Sequence, residues 1–282
     1  MVARSETSSS SGTDQAFLKG LARAFAGALI FALPMLMTME MWALGFTMAP
    51  LKLALLLVLL VPLLAGMSRF GGFKASAGWA DDVIDAFVAV AIAALAASVI
   101  LTLFGVLGSD MSLDEVIGKI AIQTVPGSIG AMLARSQLGV HDGDEAEDRR
   151  RHPTYAGELF LMAVGALFLS LNVAPTEEIV LIAHQMGPWQ EVGLALLSLA
   201  LMHGFVYAID FRGQHQVEEL VTFWSVFLRF TAAGYAIVLV VSIYLLWSFG
   251  RTAGISVDSV LSATIVLGFP GAIGAAAARL VL

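Results

Sequence analysis

Pro270-Gly-Ala-Ile-Gly-Ala-Ala-Ala-Ala-Arg279 repeats, at seven of ten positions, the earlier stretch Pro126-Gly-Ser-Ile-Gly-Ala-Met-Leu-Ala-Arg135. Both lie in long apolar runs, both open on Pro-Gly, and both close on Arg at equal spacing. A shared Ala-rich composition does not account for that punctuation, so the pair reads as two copies of one segment. The matches continue outward. Ala28-Leu29, Leu33, Thr38 and Glu40 align without gaps on Ala166-Leu167, Leu171, Thr176 and Glu178. Pro50 and Gly66 align on Pro188 and Gly204, and after small gaps Phe70-Gly71-Gly72 and Asp81-Asp82 fall opposite Phe211-Arg212-Gly213 and Glu218-Glu219.

Composition supplies the solvent. The chain has 282 residues, of which 59% are hydrophobic and 13% charged, far from the balance of water-soluble domains. Apolar runs near membrane-spanning length recur throughout and predict spans at 22–44, 50–67, 82–106, 116–136, 155–175, 191–209, 223–249 and 259–281. The expected fold is an all-α polytopic membrane helix bundle. It has about eight transmembrane helices arranged as two parallel four-helix repeats, because a four-span unit returns to its starting side. The divisions are a disordered tail over 1–18, repeats over 19–136 and 155–282, and a cytoplasmic linker over 137–154 rich in mixed charge. The apolar run from Leu21 is too long for a signal-peptide core and lacks a small-residue cleavage site, so it reads as a mature helix.

Basic residues give an orientation. With the N-terminus inside, Arg4, Lys19, Arg23, Arg69, Lys74, Arg135, Arg149, Arg150, Arg151, Arg212 and Arg279 share one side, and Arg229 leans the same way. Only Lys52, Lys119 and Arg251 face the other. The positive-inside rule then places both termini in the cytoplasm, and an even number of spans fits that.

Glu40 and Glu178 are the leading candidates for chemistry, since each follows a long apolar helix at an equivalent repeat position. Across a central axis they would form a cation or proton site, with Thr38, Thr176 and Glu177 adding oxygens. Counting ~1.5 Å per residue from Arg23 puts Glu40 about 26 Å along, near the outer boundary rather than the midplane. Acids that simply end their helices at the headgroup level fit equally. Thr176-Glu177-Glu178 also reads as a helix start, with the hydroxyl capping free amides. The fifth span then breaks near Asn172–Pro175 and restarts as a half-helix, as the first does after Pro34; a plain kinked helix is the alternative.

Pro126 and Pro270 free the carbonyls of Ile122 and Val266. Gly127 and Gly130, like Gly271 and Gly274, form small-residue faces for close packing between the halves or between subunits, so a homo-oligomer is one outcome. Asp85, Arg229 and Glu219 at the inner ends of their helices suggest a cytoplasmic gate. His184 and His203 have no metal-ligand spacing and read as interfacial or packed. No metal-hydrolase helix, phosphate loop or nucleophile elbow occurs, so no catalytic residue, metal or cofactor is assigned. Zero cysteines exclude disulfides and thiolate chemistry.

Leu33-Pro34, then Thr38-Met39-Glu40-Met41-Trp42, then Arg69-Phe70-Gly71-Gly72-Phe73 resemble, along nearly the whole chain, an uncharacterised family of prokaryotic integral membrane proteins of unknown function. That resemblance implies neither a substrate nor catalytic residues. The leading expectation is a small transporter or ion channel of the bacterial inner membrane with a pathway near the repeat axis, whose partners are the lipid bilayer and a small cation or proton, with no role for nucleic acid. A non-transporting sensor or assembly protein and a membrane-embedded enzyme acting on lipid stay open.

Overall fold

Runs of Ala, Leu, Val and Ile in lipid have no water to satisfy the backbone, so each run must close its own hydrogen bonds as a helix. The computed structural model describes residues 6–70, 78–138, 154–213, 224 and 227–281, and every regular element among them is helical. In chain order these are α1 (Glu6–Leu36), α2 (Met39–Thr47), α3 (Pro50–Phe70), α4 (Trp79–Leu103), α5 (Leu113–Leu138), α6 (Tyr155–Val173), α7 (Glu178–Gln185) and α8 (Pro188–Gly213). A π-helical segment (Phe227–Ala232) then leads into α9 (Ala233–Ser248), and α10 (Val257–Val281) ends the described chain. The backbone of α1 begins at Glu6, inside the stretch read as a tail, and its membrane-length part is Leu18–Leu36.

Seven of the described helices are long and apolar enough to cross a membrane: α1, α3, α4, α5, α6, the π segment with α9, and α10. At 26 residues α8 also has the length, but it opens on the polar sequence Trp189-Gln190-Glu191. The protein is therefore a multi-pass helical membrane protein.

The helices group into two compact units, one from 1–46 and 57–147 and one from 47–56 and 148–282. In the first unit α1 and α5 cross at glycines: a Cβ on Gly27 would stand 2.5 Å from the Gly130 carbonyl oxygen, and one on Gly130 would stand 2.6 Å from the Gly27 oxygen. In the second, α6 and α10 cross in the same manner, with 2.2 Å from a Gly165 Cβ to the Gly274 oxygen and 2.1 Å in reverse. Small residues let backbones approach this closely, and dispersion between them replaces the hydrophobic drive that lipid cannot supply. The small faces beside Pro126 and Pro270 are thus used inside each unit. Gly127 meets Ala93 of α4, and Gly271 meets Ser170 of α6 and Val238 of α9.

A second device also appears in both units. At the end of α4, Val106 N–H bonds the Leu101 carbonyl at 2.9 Å around Gly105, whose φ is 70°. At the end of α9, Arg251 N–H bonds the Leu246 carbonyl at 2.8 Å around Gly250, whose φ is 75°. Each is a left-handed glycine stop that satisfies a helix's last carbonyls, and each follows a phenylalanine, Phe104 or Phe249.

Candidate functional site

The first long helix of each unit stops and restarts rather than kinking. A helix that ends leaves four carbonyls without intrahelical donors. At the end of α1 all four find one. Met37 N–H reaches Leu33 O (3.2 Å), the Thr38 hydroxyl reaches Pro34 O (2.5 Å), Thr38 N–H and Gln123 Nε2 reach Met35 O (3.2 and 2.8 Å), and Trp42 Nε1 reaches Leu36 O (2.8 Å). Gln123 comes from α5 and is buried. The half-helix α2 then lies against α5 so tightly that a Cβ on Gly118 would stand 1.7 Å from the Gly45 oxygen.

In the second unit α6 ends at Val173, whose carbonyl accepts from Thr176 N–H at 3.0 Å and from its hydroxyl at 2.8 Å. Arg251 Nη2 donates to the Pro175 carbonyl and lies 3.9 Å from Glu177. Because Glu177 is 83% exposed, that ion pair contributes little; the carbonyl contact is what ties the break to the glycine stop at Gly250. Both threonines therefore close the helix behind them, and the expected cap on the amides ahead does not form. Glu177, at the head of α7, makes no side-chain cap either.

Glu40 falls in the first turn of α2 and is partly exposed; Glu178 falls in the first turn of α7 and is exposed. The positive end of each half-helix favours a carboxylate there. Glu178 is held below its ordinary carboxyl range, chiefly by its own backbone amide and then by the Thr176 hydroxyl, with the Arg251 guanidinium adding a smaller effect. Of the gate residues, Asp85 lies in α4 of the first unit, Arg229 is exposed in the π segment of the second, and Glu219 lies outside the described residues. The charged linker, Lys74 and Glu218 also lie outside them, and the side chains of Arg135 and Arg279 are likewise not described.

All three bases assigned to the outer side are tied down. Lys52 donates to the Trp247 carbonyl at 2.5 Å and lies over its ring. Lys119, 5% exposed, pairs with Glu115 at 2.7 Å and reaches the Val106 carbonyl at 3.4 Å. Arg251 holds the α6–α7 break. Each has a structural reason to sit against the charge bias.

Two further groups lie outside the predicted site. Asp82 is fully buried, 3.9 Å from Arg69, whose guanidinium rests on Trp79. Its stripe with Ala86, Ala89 and Ala93 was the available signal, since one acid on an alanine face at helical spacing points inward. His203 is packed, as its lack of ligand spacing suggested, and its Nδ1 lies 2.8 Å from the hydroxyl of buried Thr231 in the π segment. His184 is exposed at the end of α7.

Residues 20–282 match the model of one family, described as "Putative integral membrane protein (DUF2391)". The chain belongs to that family. No curated protein and no solved structure matches it.

Proposed function

We propose that the protein is a small transporter or ion channel of a bacterial inner membrane, with both termini cytoplasmic. Its two units are read as parallel copies of one ancestor, and its cation or proton pathway lies near their pseudo-twofold axis. One observation carries the reading: in each unit a long helix stops, a threonine closes it, and a half-helix begins with an acid in its first turn. Discontinuous helices of this kind recur where transporters bind ions, because unwound backbone and half-helix ends supply fixed partial charges. The paired glycine crossings and glycine stops support the duplication. Glu40 and Glu178 are the proposed pathway acids, with Thr38, Thr176 and Glu177 beside them and Asp85, Arg229 and Glu219 at the opposite mouth.

One observation favours a non-transporting sensor or assembly role instead. Both threonine hydroxyls are engaged by helix carbonyls, and a half-helix N-terminus alone accounts for a surface acid. Ion flux into reconstituted vesicles separates the two. The wild-type protein is expected to carry a monovalent cation or protons, and the Glu40→Gln, Glu178→Gln double variant to lose most of that flux. Equal flux from both would remove these acids from the pathway.

A further inference from the structure

The core of the second unit holds buried hydroxyls that the protein does not satisfy. Ser170 on α6 and Ser242 on α9 carry side-chain oxygens shielded from solvent with no hydrogen-bond partner among the described residues, and on the same α9 run Tyr235 faces Ser198 of α8 while Ser248 faces Tyr244. A hydroxyl buried without a partner is costly, so the facing pair Ser170 and Ser242 calls for an occupant. These hydroxyls are not scattered. Thr231, Tyr235, Ser242 and Ser248 fall on the buried side of one continuous helical run, which at ~1.5 Å per residue covers about 25 Å, most of a hydrocarbon core of ~30 Å. Ser170 and Ser242 converge on Gly271, the residue after the α10 proline: the point where a Cβ would sit is 2.8 Å from one hydroxyl oxygen and 3.8 Å from the other.

Titratable groups stand at both ends of this column. Near the start of α8, Glu191 accepts a hydrogen bond of 2.6 Å from Ser262 of α10. Twelve residues along α8, His203 meets Thr231 at 2.8 Å. There the helix is π-wound, a form concentrated at functional sites, and the Tyr155 hydroxyl takes up the Arg229 carbonyl at 2.8 Å.

The first unit shows what the same positions look like without this chemistry, a comparison that rests on the duplication proposed above. Gly27 and Gly165 lie 138 residues apart, and Phe104 and Phe249 lie 145 apart. In those registers Ser170 and Ser242 correspond to Ala32 and Ala97, and His203 and Thr231 to Ala65 and Ala86, all four buried. Alanine fills each of these places in the first unit.

We propose that the hydroxyl column of the second unit is a water-bridged proton path, running from Glu191 and Ser262 at one end to His203 and Thr231 at the other. Each hydroxyl or bridging water accepts one proton and releases another to its neighbour, so one proton crosses and no group changes its net state. The path is internal to the second unit and separate from Glu40 and Glu178.

The full chain in vesicles enclosing a pH-sensitive dye, driven by a potassium diffusion potential with valinomycin, tests it. Wild type is expected to acidify the lumen faster than protein-free vesicles. The Ser170→Ala, Ser242→Ala and His203→Ala, Thr231→Ala double variants are expected to fall well below the wild-type rate, while Gly193→Ala, where a Cβ meets nothing within 4 Å, keeps it. If a double variant does not fold, Ser242→Ala alone carries the test. The path is overturned if wild type conducts no protons, if the alanine variants conduct as wild type does, or if Glu40→Gln, Glu178→Gln abolishes conduction while the alanine variants keep it. That last result would leave the pathway between Glu40 and Glu178 standing.

Discussion

Replacing Gly274 with valine is expected to destabilise the protein by ~3 kcal/mol or more, at the upper end of what overpacking usually costs. The first added atom would lie 2.1 Å from the Gly165 carbonyl oxygen and 2.8 Å from its carbon. Both belong to helix backbone, which cannot rotate aside as a long side chain would. The α6–α10 crossing would have to open along its length, and the contacts of Ala272, Ala275 and Ala276 with Met162, Ala166 and Val238 would open with it. Thermal unfolding of the purified protein in detergent measures the loss. Gly193→Ala in α8 is the control, since a Cβ there meets nothing within 4 Å; it should leave stability unchanged or raise it by up to about 1 kcal/mol through helix propensity. An unchanged unfolding temperature for Gly274→Val would mean that the helices do not cross at this point.

Gly118→Ala is expected to act more locally and more directly on the candidate site. Its Cβ would fall 1.7 Å from the Gly45 oxygen, and α2 is a single nine-residue helix joined to α1 by Met37 and Thr38 and pinned to it by the Trp42–Leu36 hydrogen bond. The half-helix would move off α5, exposing Lys119 and carrying Glu40 with it. The long helices α1, α4 and α5 would keep their own contacts, because Gly118 takes no part in the Gly27–Gly130 crossing. Hydrogen exchange should report this as faster exchange across Met39–Thr47 with little change at Ala24–Ala32. Equal exchange in both proteins would show that α2 is not held by the Gly45–Gly118 contact.

The membrane class and the all-helical fold were legible because lipid leaves an apolar chain no other choice. The stop near Pro34 and Pro175 was half legible. A proline marks where a helix weakens, but kink and break differ only in what satisfies the carbonyls. Those donors arrive from far along the chain: Gln123 reaches Met35, and Arg251 reaches Pro175. No local pattern announces either. The bonds that Thr38 and Thr176 donate to the preceding turn were missed for the same reason, since a hydroxyl both donates and accepts and only the folded neighbours decide which partner its proton meets. Gly27 and Gly165 were invisible as contact points, because one glycine in an Ala-rich helix acquires meaning only opposite its partner. Asp82 and the serine column lay outside the predicted site because isolated polar residues in apolar helices look incidental until their shared face is known.

The central claim is that the two units are parallel copies, which puts the half-helix acids on one face of the membrane. The chain contains no cysteine, so Glu40→Cys, Glu178→Cys and a linker control, Gly143→Cys, can each be introduced without background. A membrane-impermeant maleimide added outside intact cells is expected to label positions 40 and 178 and to reach 143 only after permeabilisation. Labelling of 40 and 178 from opposite faces would contradict the parallel arrangement and the shared pathway built on it.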